Sequence, residues 1–237
     1  MKRINFKGFN IDIGNKDQIF QTLVNCLQTN GCKQVLTLNP EFIVKASKHS
    51  DLVNLNNSCE LVLVDGFGLA LALKKYTKYI FRYPGVDIMQ DLCTYAEKHS
   101  LKVGILLPTN GLSSEDEIKK AFSKLFPQIQ VNIFYQNQTT IQKINSQNLS
   151  LLFLTLGQTR QENWIFENKN ALNCKIAIGV GGAVDFLTGT RKRAPRLFRQ
   201  LGLEWFWRLL LEPWRIKRQL SLVTFLFLVL KEKFRPK

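Results

Sequence analysis

Asp65 closes the apolar run Leu61-Val62-Leu63-Val64 and is followed at once by Gly66, which leaves a carboxylate at the end of a strand-like segment. A carboxylate walled on one side by apolar residues has its pKa raised toward the range useful for a general base. Helix capping is an equal alternative, because aspartate is a strong N-cap and a helical pattern, Phe67 to Lys74, follows. Other polar groups occupy equivalent stations: Thr37 and Asn39 after one apolar run, Pro108-Thr109-Asn110 after another, then Gly157 to Glu162 and Gly179 to Asp185. The backbone N–H groups of Gly179-Val180-Gly181-Gly182 could form a nest for a pyrophosphate; a simple tight turn is the competing reading. The cluster is not the dinucleotide fingerprint and lacks the Walker lysine, so neither NAD nor ATP is indicated. Arg82 and Asp87 flank the turn Tyr83-Pro84-Gly85; the arginine could pair a phosphate bidentately, and Asp87 could cap a helix or bridge Arg82. His49 and His99 read as surface residues beside lysines, and no His/Cys/Asp cluster has metal-ligand spacing.

The elements that must position these groups are legible as alternation. Apolar, β-branched runs at Gln34 to Leu38, Glu60 to Val64, Lys102 to Leu107, Gln130 to Tyr135, Leu151 to Leu156 and Lys175 to Val180 predict strands buried on both faces. Between them, helices are predicted at Lys16 to Asn30, Pro40 to Lys48, Phe67 to Lys74, Val86 to Lys98, Ser114 to Leu125, Ile141 to Ser146 and Arg160 to Asn170. Ser113 or Ser114 followed by Glu-Asp-Glu supplies a capping start. The fold class is α/β, a mostly parallel, doubly wound sheet with helices on both faces. In such sheets ligands bind beyond the carboxyl ends of the strands, where the polar stations lie.

Charge divides the chain unevenly. From Arg191 onward there are 13 Lys/Arg and three Glu, so this segment carries +10 of the formal +15 and leaves residues 1 to 190 at +5. The compositional break near Gly189 to Pro195 predicts a core, residues 1–190, and a basic, Trp-rich appendage, residues 191–237. Trp205, Trp207 and Trp214 interleave with Arg208, Arg215 and Arg218 before the apolar run Leu220 to Leu230, the composition of a segment that works at an anionic membrane surface. As a helix, the run's 11 residues would be roughly 16 Å long, too short for a ~30 Å hydrocarbon core, so it would lie on the bilayer or dock on the protein. Packing as a terminal helix and nucleic-acid binding are the alternatives; no nucleic-acid recognition motif is present. Five widely spaced cysteines without a CxxC pair, and an opening Met1-Lys2-Arg3 without a signal-peptide core, predict a reduced, cytosolic-side location.

Taken in order, the stations resemble the WecG/TagA/CpsF family of bacterial glycosyltransferases. The motifs are Thr37-x-Asn39, Asp65-Gly66, Arg82-x-x-Gly85-x-Asp87, Gly157-x-x-Arg160-Gln161-Glu162-x-Trp164, Gly179-Val180-Gly181-Gly182 with Asp185, Arg193-Ala194-Pro195, and Gly202-Leu203-Glu204-Trp205 with Arg208 and Pro213. The sequence departs from the pattern at Thr159, where a proline is usual, and at Tyr83-Pro84. The resemblance implies a Rossmann-like core with a C-terminal helical, membrane-associating appendage. It implies an inverting, metal-independent transfer of an N-acetylmannosamine-type sugar, or a related uronic acid, from a UDP donor to an undecaprenyl-diphosphate-linked sugar. It makes Asp65 the base, with Thr37 beside it as a catalytic residue. Asn39, Arg82, Asp87, Gln161, Glu162, Gly179, Gly181, Gly182 and Asp185 become substrate-binding residues, and Arg208, Arg215 and Arg218 close the site from the appendage. The implied partners are the two substrates and the inner face of the plasma membrane, with no nucleic acid and no cofactor; a homo-oligomer is compatible. A catalytically idle membrane scaffold is the other class of protein that fits the fold and tail.

Overall fold

A computed structural model describes residues 1–77, 80–213 and 216–230, with 217–219 described by backbone only. The chain opens on β1 (Lys2–Phe6) and β2 (Phe9–Ile13), then runs α1 (Lys16–Gln28), β3 (Lys33–Leu38), α2 (Pro40–Ala46), α3 (Ser50–Ser58), β4 (Leu61–Val64), α4 (Phe67–Leu73) and α5 (Gly85–Lys98). It continues through β5 (Val103–Leu107), α6 (Glu115–Leu125), β6 (Val131–Tyr135), α7 (Ile141–Asn145), β7 (Leu151–Leu154), α8 (Arg160–Asn168), β8 (Ile176–Gly179) and α9 (Ala183–Thr188). Three more helices follow: α10 (Arg196–Gln200), α11 (Glu204–Leu211) and α12 (Ile216–Leu230).

Strands β3 to β8 form one parallel sheet in the order β4-β3-β8-β7-β5-β6. Alternate strand residues bury on opposite faces. Val35, Leu63, Ile105, Phe153 and Ile178 pack with Leu23, Ile88, Leu92 and Phe122 from α1, α5 and α6. Leu36, Leu38, Val62 and Val64 pack with Phe42, Leu55 and Leu69 from α2, α3 and α4. Leu106, Leu152 and Leu154 meet Ile144 and Ile165 from α7 and α8. Each such side chain contributes roughly 1.5–3 kcal/mol by leaving water, and coverage of both faces is why the strands are continuously apolar.

The Lys2–Ile13 hairpin was not among the predicted strands. Its two-residue turn places both Lys7 (φ 52°) and Gly8 (φ 91°) in the left-handed region, as a hairpin that follows strand twist requires. The hairpin guards the edge strand β4: buried Asp12 accepts the Val62 N–H at 2.8 Å and a two-pronged pair from Arg3 at 2.8 and 2.7 Å, and Arg3 also donates to the Glu60 carbonyl. Helix α3 was not predicted, because its three asparagines and two serines are weak helix formers; it is held by burial of Leu52, Val53 and Leu55 and by Asn56, whose amide pairs both backbone groups of Asn10.

The segment expected as an appendage lies against the core. Helix α12 packs on α2, and Phe225, 1% exposed, joins the cluster of α2, α4 and the hairpin. Its opposite side presents Leu220, Val223, Phe227 and Leu230 to the outside. The apolar run therefore docks with one face and displays the other. No described helix is long and apolar enough to cross a membrane.

Candidate active site

All five predicted stations open onto one cleft of about 510 Å³ beyond the carboxyl ends of β3, β4, β5, β7 and β8. Helices α11 and α12 supply its remaining wall through Glu204, Trp205, Arg208, Ser221 and Leu222.

Asp65 sits in this cleft, and the capping alternative is corrected: Gly66 occupies the N-cap position of α4, with φ of 86°, and no side chain caps that helix. Glycine is required there, since the left-handed backbone is strained for other residues and a Cβ would stand 3.1 Å from Pro40 Cδ. The strand end is fixed by the Asp65 N–H to the Leu38 carbonyl at 2.8 Å. Burial first, and the Glu204 carboxylate second, push the Asp65 carboxyl up to about 6, against the opposing pull of Arg208, Arg82 and the Gly66 N–H. A group at that value is mostly ionised at neutral pH yet basic enough to take a proton from a hydroxyl in a transition state.

Arg82 reaches the cleft because its loop is pinned at both sides. The Tyr83 N–H donates to the Val64 carbonyl at 2.8 Å, buried Tyr83 hydrogen-bonds Asp91, and Gly85 lies so close to the glycine turn that a Cβ would meet Val180 O at 3.2 Å. The Arg82 guanidinium donates to the Arg199 carbonyl of α10 at 3.1 Å. Asp87 does not bridge Arg82, as the sequence allowed. It pairs with Arg193 at 2.7 Å and is not among the cleft-lining residues, so its visible role is to tie α5 to the basic segment.

Thr37, Gln161 and Glu162 are buried at the cleft floor. Thr37 Oγ1 donates to the Gly179 carbonyl at 3.2 Å, joining the ends of β3 and β8. Gln161 Oε1 accepts the Gly181 N–H at 3.2 Å while its Nε2 donates to Glu162 Oε1 at 2.8 Å. The approach is so tight that a Cβ on Gly179 would fall 2.4 Å from Gln161 Nε2. Glu162 also accepts the Thr159 N–H in a capping box; burial raises its carboxyl above the usual range and these bonds oppose the rise. The Thr159 φ of 71° is one that a proline ring cannot adopt, a local reason for the departure at this position. Asn39 caps α2 through the Phe42 N–H at 3.1 Å and faces the Gln158 amide.

Gly182 and Asp185 line the opposite wall. Asp185 accepts from Ser113 Oγ at 2.9 Å, whereas neighbouring Ser114 caps α6, so the two serines divide the roles the sequence left between them. Arg208 lies 4.9 Å above the Phe186 ring and 3.5 Å from Glu204, and its charge lowers the Asp65 carboxyl. Arg215 and the Arg218 side chain fall outside the described residues. Sequence reasoning missed Ser113, Arg191 and Glu204 as cleft residues. Ser113 follows a flagged station by three positions; Arg191 and Glu204 were assigned to the appendage, and only tertiary docking brings them in. Among the described residues no three His, Cys, Asp or Glu side chains are grouped to hold a metal ion, and all five cysteines are free thiols.

A buried carboxyl, arginines and a glycine turn thus meet in one cleft at the head of a parallel sheet. The chain belongs to the glycosyl transferase WecG/TagA/CpsF family, whose profile matches residues 4–237, and the protein is a glycosyltransferase. It is 29% identical over 209 residues, 86% of this chain and 82% of the relative, to the N-acetylglucosaminyldiphosphoundecaprenol N-acetyl-beta-D-mannosaminyltransferase of Staphylococcus aureus strain MRSA252. The protein of the same name from strain NCTC 8325 is 28% identical over the same shares.

Proposed function

We propose that this glycosyltransferase moves an N-acetylmannosamine-type sugar from a UDP-sugar to the N-acetylglucosamine of an undecaprenyl-diphosphate-linked acceptor, with inversion and without a metal. The observation that carries the reading is the convergence of five strand-end stations on one cleft, with Asp65 flanked by Arg82 and Arg208. The names of the Staphylococcus aureus relatives supply the acceptor and the sugar class. The UDP donor rests on the family resemblance.

In the proposed step the Asp65 carboxylate takes the proton of the acceptor hydroxyl. The freed oxygen pair attacks the anomeric carbon from the face opposite the leaving group, and the carbon–oxygen bond to UDP breaks with its pair going to the diphosphate. Side-chain cations and backbone N–H groups then stabilise the leaving charge, a task often given to a metal. Binding at the inner face of the plasma membrane is supported by the exposed apolar residues Leu197, Trp205, Phe206, Leu220, Phe227 and Leu230 on α10, α11 and α12, beside the basic segment. A panel of UDP-sugars with a short-chain prenyl-diphosphate acceptor tests the reading: UDP release should depend on acceptor and be greatest with UDP-N-acetylmannosamine. Release only by water, or from no UDP-sugar, would overturn it.

A further inference from the structure

The proposed reaction brings two diphosphates into one cleft, that of the leaving nucleotide and that of the lipid-linked acceptor. The described arginines that line the cleft are Arg82, Arg191 and Arg208. The charges of Arg82 and Arg208 lower the Asp65 carboxyl, and Arg208 also covers the Phe186 ring of α9. Arg191 stands against the glycine turn, where its Nη1 would be 3.1 Å from a Cβ on Gly182.

The Arg191 Nε, like those of Arg193, Arg199 and Arg208, is buried without a hydrogen-bond partner, and its surroundings are set by two carboxylates. Asp185 Oδ2 lies 3.7 Å from Nη1, an ion-pair distance too long for a hydrogen bond. Glu212 Oε1 is 3.2 Å from Nε, yet that buried Nε has no hydrogen-bond partner. The two carboxylates thus hold the guanidinium in place by charge without accepting its N–H groups. Asp185 is itself fixed by Ser113 at 2.9 Å, and the Arg191 N–H donates to the Asp185 carbonyl at 2.9 Å, which anchors the residue at its base. By contrast, Arg82 donates to a backbone carbonyl, while Arg208 pairs with Glu204 and covers a ring. A clamped guanidinium with its fork unspent, 29% exposed at a cleft wall, suits an incoming anion with several oxygens.

We propose that Arg191 is a ligand of the donor diphosphate, reading that group at the glycine turn; this rests on the UDP-donor reading above. The test compares binding of UDP and of uridine, which lacks the diphosphate, by calorimetry on the full chain. Wild type should prefer UDP strongly. Arg191→Gln should weaken UDP by roughly 10- to 100-fold, the range for losing charge-assisted hydrogen bonds, and change uridine by no more than about twofold. Arg191→Lys keeps the charge but loses the fork, and should fall between the two; its UDP-to-uridine ratio decides the matter if the glutamine variant does not fold. The acceptor KM should be unchanged in the lysine variant. Equal weakening of UDP and uridine, or an unchanged UDP preference in both variants, overturns the Arg191 assignment alone. A wild type that binds UDP no better than uridine removes the donor reading, and the assignment with it.

Discussion

At the residue scale, Asp65 is chemically distinct because it is a carboxylate held near 6 by burial and by Glu204. The acidic limb of kcat/KM should therefore fall near pH 6; a limb near the ordinary value of 3.8 would mean that burial and Glu204 do not set the base. The same shift has a stability sign. Because the folded state binds this proton more tightly than the unfolded chain, ionisation of Asp65 opposes folding, fully above the folded pKa and not at all below the unfolded one. Asp65→Asn should accordingly be at least as stable as wild type at pH 7 in urea denaturation, with its advantage shrinking as pH falls from 6 toward 3.8. Gly179→Ala would drive a methyl into the Gln161 amide and break the tie to Gly181; overpacking of this kind costs roughly 1–3 kcal/mol, and donor binding should weaken with it. Asp65 and the glycine turn were legible as cleft residues because each follows a strand directly, and Thr37 and Gln161 because they lie at the end of β3 and in the first turn of the helix after β7. Asp87 was misplaced because its partner, Arg193, lies 106 positions away and no local pattern announces such a pair.

At the element scale, the six strands of the main sheet were legible because burial on both faces leaves runs that only a strand of a covered parallel sheet can use. The hairpin and α3 were not, since their stability comes from long-range bonds such as Asp12 to Val62 and Asn56 to Asn10. Asp12→Ala should therefore cost stability, about 1–3 kcal/mol for the unpaired Val62 N–H and more for the loss of Arg3, with donor and acceptor KM unchanged. Helix α12 offers a sharper contrast between two phenylalanines two residues apart. Phe225→Ala removes a core side chain and should cost roughly 3–5 kcal/mol in a denaturation experiment while leaving the exposed face of α12 intact. Phe227→Ser, at a position 64% exposed, should leave stability within about 0.5 kcal/mol and weaken binding to anionic vesicles. If Phe227→Ser does not alter vesicle binding, the outer face of α12 is not the contact.

At the scale of the whole molecule, a parallel sheet gathers Asp65 and the glycine turn, and the basic segment folds back to add Arg191, Glu204 and Arg208 from sequence positions far beyond the strands. On the proposed reading the cleft cations are side chains, and turnover should survive exhaustive EDTA treatment; loss on chelation with recovery on magnesium or manganese would transfer that role to an ion. The central claim is that Asp65 is the general base of a glycosyl transfer, and it is tested most directly by acceptor-dependent UDP release from UDP-N-acetylmannosamine, wild type against Asp65→Asn, at matched fold and saturating substrates. The expected result is a loss of about 10²- to 10⁴-fold in turnover, with UDP affinity retained. Turnover within about threefold of wild type would contradict it.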